Sequence, residues 1–184
     1  MKKFTYTITL LAFAFFFIGC DKEAMIEHPV VQENEMISIA KLTAQNDIQH
    51  LFLQKDMQAS FLDNQGGELV FMEVVDDNKN GEEIGLLYRI YYKEQGVAVT
   101  TLIPSILTLK GGTYYYSPSD IATYNKVSCS TSDCTKHLTG CKPSWGSTCT
   151  SCPKKTQKCT RTVSNFCDEI ELMSKIIRNA VAAY

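Results

Sequence analysis

Between Ser128 and Thr162 the chain carries Cys129, Cys134, Cys141, Cys149, Cys152 and Cys159, and Cys167 follows shortly after. The only other large apolar residues in that stretch are Leu138 and Trp145; the rest is mainly Ser, Thr, Lys, Gly and Pro. Such a segment cannot bury enough apolar surface to offset an ordering entropy of roughly 1–2 kcal/mol per residue. It is therefore cross-linked, metal-bound or without fixed structure. Disulfides would each stabilise it by about 2–4 kcal/mol. Three bridges among these seven cysteines leave one thiol over, and about 105 arrangements satisfy that count.

Two other chemistries use the same sulfurs. Cys149-Thr150-Ser151-Cys152 is a C-x-x-C, flanked by Cys141 and Cys159, and four thiolates there would suit zinc or an iron–sulfur cluster. The gaps between successive cysteines, four, six, seven, two, six and seven residues, match neither zinc-site nor ferredoxin spacing. A thiol oxidoreductase would need the C-x-x-C where a strand enters a helix, so that the dipole lowers the first thiol's pKa. Here Pro153-Lys154-Lys155 follows in a polar setting with no βαβ pattern around it.

The N-terminus decides among these readings. Met1-Lys2-Lys3 is followed by an apolar run from Ile8 to Ile18 broken only by Thr9. That is the form of a secretory signal peptide, and it is shorter than the roughly 20 residues needed to span a bilayer. Phe17-Ile18-Gly19-Cys20 then resembles the lipobox of bacterial lipoproteins, with Gly19 and Cys20 matching. The resemblance implies cleavage after Gly19, a diacylglycerol on the Cys20 sulfur, and a fatty acyl chain such as palmitate on the new amino terminus. Two such chains suffice for stable anchoring, at roughly 0.8 kcal/mol per buried methylene. It also implies a cell-envelope location, with the outer membrane the expected one. Asp21 resembles an inner-membrane retention mark of some bacteria, and acidic residues just after the cysteine resemble a surface-export signal of others. A lipobox followed by a small cysteine-rich body is similar to cysteine-rich lipoproteins of Bacteroidota-type bacteria, a resemblance that carries no specific activity. Export leads to an oxidising compartment, where disulfides persist.

Removing Lys2 and Lys3 leaves 16 basic against 20 acidic side chains, a net −4 that argues against general nucleic-acid binding. Residues 62–83 hold seven acidic side chains against Lys79, a local −6, and residues 128–162 hold six basic side chains against Asp133, a local +5. Such asymmetry is more often two solvated faces than a polyanion site.

The expected fold class is α+β. Residues 1–19 read as the signal, 20–34 as a flexible polar tether, 35–127 as an α+β domain, 128–163 as a disulfide-rich loop segment and 164–184 as a C-terminal amphipathic helix. Residues 35–57 read as one or two N-terminal helices, with Asn46-Asp47 interrupting or capping them. Asp63 to Gly67 reads as a turn before a strand whose Val70, Met72 and Val74 share a face. Ile84, Leu86, Tyr88, Ile90 and Tyr92 line one face of a half-buried strand, with Gly85, Arg89 and Tyr91 on the other. Val97–Ile103 reads as a strand ended by Pro104, and Ile106 to Tyr116 as a hairpin turning at Gly111-Gly112. Short turns favour an antiparallel meander. Phe166, Ile170, Met173, Ile177 and Val181 make the apolar stripe of the last helix, with Ser164 as its cap, Asp168, Glu169 and Glu171 near its positive end and Arg178 near its negative end.

The remaining candidates are weaker. Asp76, Asn78, Asn80 and Gly81 start like a calcium loop, but its twelfth position is Leu87. Tyr88, Tyr91, Tyr92, Tyr114, Tyr115 and Tyr116 could form a sugar-stacking platform, although strand aromatics more often pack across strands. His28, His50 and His137 are scattered, and no nucleophile elbow, phosphate loop or paired His-carboxylate motif is present. No catalytic residue and no cofactor follow from the sequence. The expected function is a non-enzymatic binding or interaction module, anchored in the membrane by lipid and facing an envelope protein or glycan. The alternative is a zinc, iron–sulfur or thiol redox protein built on Cys141, Cys149, Cys152 and Cys159.

Overall fold

A computed structural model describes residues 36–77, 83–117, 125–145, 148–154, 157–166 and 169–184. The signal, Cys20, the tether, His28, Asn78–Glu82, Lys155, Cys167 and Asp168 lie outside the described residues.

The described chain builds two antiparallel sheets and two helices. The strands are β1 (Ile37–Leu42), β2 (Ile48–His50), β3 (Glu68–Asp77), β4 (Glu83–Tyr92), β5 (Val97–Pro104), β6 (Leu107–Lys110), β7 (Thr113–Tyr116), β8 (Asn125–Thr131) and β9 (Thr160–Asn165). The helices are α1 (Gln54–Gln65) and α2 (Ile170–Ala182). One sheet has the order β2-β1-β7-β6 and the other β3-β4-β5-β8-β9. The α+β class and its antiparallel pairing stand, with two sheets in place of one.

The N-terminal helix expected over residues 35–57 is a correction. Ile37 and Ile39 carry a two-residue step, and β1 pairs with both β2 and β7. Cross-strand partners outweigh helix propensity, which is a weak prior against tertiary context. Asn46-Asp47 is a hairpin turn, with Asn46 at φ +64° and the Thr43 hydroxyl accepting from the Gln45 and Asp47 amides. The helix of this half is α1, which runs through the expected turn at Asp63 and stops at Gly66, left-handed at φ +64°.

The meander β3-β4-β5 follows the alternation, but a bulge between Leu69 and Phe71 shifts the inward face of β3. Leu69, Met72 and Val74 are buried, and Val70 is only partly so. The Gly111-Gly112 hairpin forms as the sequence indicates, both glycines at positive φ. Its strands leave the meander at Ser105 and join β1 instead. β9 occupies Ser164, so α2 starts later than the sequence suggests and Ser164 is not its cap.

One continuous core lies between the sheets and under the helices. Met57 and Phe61 of α1, Met173, Ile176 and Ile177 of α2, Leu86, Tyr88 and Ile90 of β4, and Tyr114 and Tyr116 of β7 are buried together with Phe166. Burial of each large side chain contributes about 1.5–3 kcal/mol. The Tyr114 hydroxyl donates to Asp76 Oδ2 at 2.7 Å, tying the two sheets. At the helix start Lys126 pairs with Glu169 and lies 5.9 Å from the Phe166 ring centre.

Candidate functional site

The expected half-buried strand β4 is buried on both faces. Gly85, Leu87 and Arg89 face away from the core, and each is inaccessible or nearly so. What covers them is the cysteine-rich connection between β8 and β9, whose described residues 132–145, 148–154 and 157–159 fold back as a cap on the outer face of the five-stranded sheet.

Cys129 lies on β8 opposite Thr100 of β5 and Arg161 of β9. It bonds to Cys149, while Cys134 bonds to Cys152 and Cys141 to Cys159. The Cα separations are 5.9, 6.0 and 5.5 Å, within the ordinary range for bridged cysteines. Each bridge therefore crosses both of the others along the sequence. Among the described residues no cysteine is free.

The four sulfurs of the alternative metal reading are not left as one set of thiols. Cys141 and Cys159 bond to each other, and Cys149 and Cys152 have different partners outside the set. The C-x-x-C pair is likewise not a redox couple, because its two sulfurs are not bonded to each other. The cluster that does form is Cys129, Cys149 and Cys159, whose sulfurs lie within 4.8 Å of one another.

Short polar side chains do in the cap what an apolar core does elsewhere. The Thr131 hydroxyl accepts from the Asp133 amide at 3.1 Å and donates to the Lys158 carbonyl at 2.8 Å. Asp133 Oδ2 accepts from the Lys158 amide at 2.7 Å. Lys142 and Thr150 pair through backbone and hydroxyl at 2.8 and 2.9 Å, and Pro143 bridges Cys149. The segment's Ser and Thr content thus supplies partners for backbone groups that have no ladder.

Arg89 holds the cap down. It is 0 % exposed and points from β4 into the cap. Nη1 donates to the Gly140 carbonyl at 2.9 Å, and Nη2 donates to the carbonyls of Cys134 and Thr135 at 3.0 and 3.2 Å. Desolvation lowers its pKa below the ordinary guanidinium value. Three carbonyl dipoles stand where a carboxylate would usually be, and a planar fork reaches all three in a way an ammonium cannot. At the cap's edge Lys142 reaches Glu73 at 3.1 Å and lies 5.0 Å from the Phe71 ring centre. That pair joins the acidic and basic stretches of the sequence. Trp145 packs on Gly85, where a Cβ would stand 2.9 Å from the indole and from the Ile103 carbonyl.

The acceptors of Arg89 flank one short turn. Cys134 and Thr135 precede it, Gly140 and Cys141 follow it, and Lys136, His137, Leu138 and Thr139 between them are exposed. Leu138 is 56 % exposed. His137 lies here, its Nδ1 3.3 Å from the Thr139 hydroxyl. His50 is remote from it; its Nε2 accepts from the Val74 amide at 3.3 Å, and burial lowers its pKa against the opposing pull of Glu73.

The tyrosines are not assembled into a platform. Tyr88, Tyr114 and Tyr116 are buried in the core, whereas Tyr91 faces the cap side and Tyr92 and Tyr115 are half-buried. Asp76 is engaged by Tyr114, and the rest of the calcium-like loop lies outside the described residues. Alternation assigns Arg89 to solvent, and the only sign of its anchoring role in the sequence is its place among apolar neighbours. Among the described residues no helix is long and apolar enough to cross a membrane. No family model, characterised protein or solved structure matches the chain.

Proposed function

We propose that the chain is a lipid-anchored lipoprotein of the cell envelope, in the outer membrane, whose folded body is a non-enzymatic binding module. The address rests on the signal-like start and Cys20, and it agrees with cysteines that are oxidised. The binding reading rests on one observation: the exposed turn Lys136–Thr139 is clamped on both flanks. Arg89 bonds carbonyls before and after it, and the bridges at Cys134 and Cys141 bracket it. A loop held this way loses little conformational freedom when a partner binds. Leu138 offers an apolar contact, with Lys136 and His137 beside it. The partner is an envelope protein or glycan.

Two measurements test this. Full-length protein made with labelled palmitate should carry label that Cys20→Ala loses; label retained in the variant would remove the lipoprotein reading. A photoreactive residue at position 138 should cross-link in intact cells to a discrete species, and one at exposed Val163 should not. Equal labelling at both positions would remove the turn as the binding face.

A further inference from the structure

We propose that the depression over Cys149 and Cys159 is a thiol–disulfide exchange site, through which an incoming thiolate rewires two of the three bridges. The inference goes beyond the binding module and does not depend on the lipid anchor. Three observations carry it. First, the sulfurs of Cys129, Cys149 and Cys159 lie within 4.8 Å of one another although they belong to two bridges. Secondly, Cys149 and Cys159 are half-buried and line an open depression of about 330 Å³ with Lys154; Cys152 also lies on its wall but is buried, and Cys129 and Cys141 are fully buried. An attacking sulfur therefore meets Cys149 or Cys159, not their partners. Thirdly, Cys141 is held at φ +54°, a left-handed conformation that side-chain-bearing residues rarely adopt. Opening its bridge frees that backbone to relax.

The sequence of bonds follows from access. A thiolate attacks the Cys149 sulfur, forming a mixed disulfide and releasing Cys129 as a thiolate. Lys154, on the wall of the depression, favours the approach of an anion. The Cys129 thiolate then attacks the neighbouring Cys159 sulfur, forming Cys129–Cys159 and releasing Cys141, which takes up the proton of the incoming thiol. If the incoming group is a dithiol, its second sulfur resolves the mixed disulfide and frees Cys149. The balance is one dithiol oxidised, one bridge lost, one bridge exchanged and two thiols gained, at Cys141 and Cys149. The partner is thus a dithiol of the kind carried by reductases, and Cys134–Cys152 takes no part, because both of its cysteines are buried and its sulfurs lie outside the three-sulfur cluster.

The full-length protein, extracted in detergent, would be treated with one equivalent of dithiothreitol, quenched in acid at intervals and alkylated. Its disulfide-linked peptides would then be identified by mass. The expected first product links Cys129 to Cys159, with alkyl groups on Cys141 and Cys149 and Cys134–Cys152 intact. Thiols appearing only as native pairs, such as Cys129 with Cys149, would overturn the proposal. So would a cap that stays fully oxidised under these conditions.

Discussion

Replacing Arg89 separates the cap's anchoring from its cross-linking. In Arg89→Ala the carbonyls of Gly140, Cys134 and Thr135 lose their donor, and the first two belong to buried residues. Leaving a buried acceptor unpaired costs about 1–3 kcal/mol each, and the emptied volume adds to that. Against this, the native guanidinium is buried with no carboxylate beside it among the described residues, at a desolvation cost of several kcal/mol that the variant recovers in part. The net expectation is a loss of about 3–4 kcal/mol in Arg89→Ala. Arg89→Lys should lose roughly half as much, because an ammonium keeps the charge but cannot span the three carbonyls. Trp145 is the chain's single tryptophan and packs on Gly85 beneath the cap, so its emission reports docking, while far-ultraviolet circular dichroism reports the sheets. Urea titration followed by both probes should show Trp145 emission shifting to the red in Arg89→Ala with the bridges intact. A loss below about 1 kcal/mol with unchanged emission would refute the anchoring role.

Other perturbations act on separate contacts. Gly85→Ala should cost about 1–3 kcal/mol by denaturant titration, since the new Cβ meets the Ile103 carbonyl, a backbone atom that cannot turn away. Tyr114→Phe should cost about 1–2 kcal/mol in the same assay by removing the hydrogen bond to Asp76 between the sheets. His50 is held below its ordinary pKa by burial, so the folded state binds fewer protons than the unfolded one in that window. Stability should be full above about pH 6.5 and fall as pH drops below it. His50→Gln should flatten thermal stability between pH 7 and 5. Cys129→Ala/Cys149→Ala should lose about 2–3 kcal/mol, from a loop with a sequence separation of 20, unless the two crossing bridges already constrain it; a loss near zero would show that they do.

What was legible in the sequence follows a physical line. Turns with their own chemistry were readable: Gly111-Gly112, Gly96 and Pro104 punctuate the strands where the structure has them. Strand alternation gave the inward face of β4, because Ile90, Tyr88 and Leu86 meet one core. It could not give the outer face, because period two says only which side a residue is on, not what covers that side. Leu87 and Arg89 needed the cap for that. The N-terminal strands were missed because their partners, β7 above all, lie far along the chain. The need for cross-links was plain from a segment with so little apolar surface. Their pairing was not, because it depends on β8 carrying Cys129 to the outer face and on Asp133 and Thr131 drawing Lys158, and with it Cys159, back to the strand.

The central claim is that six cysteines form three interleaved bridges which, with Arg89, fasten a cap to the sheet. Peptide mapping of the full-length protein, isolated from the envelope and alkylated without reductant, tests it most directly. The account predicts linked peptides for Cys129–Cys149, Cys134–Cys152 and Cys141–Cys159. Four or more alkylated thiols among Cys129, Cys134, Cys141, Cys149, Cys152 and Cys159, released on adding a chelator, would contradict it and put a metal in place of the bridges.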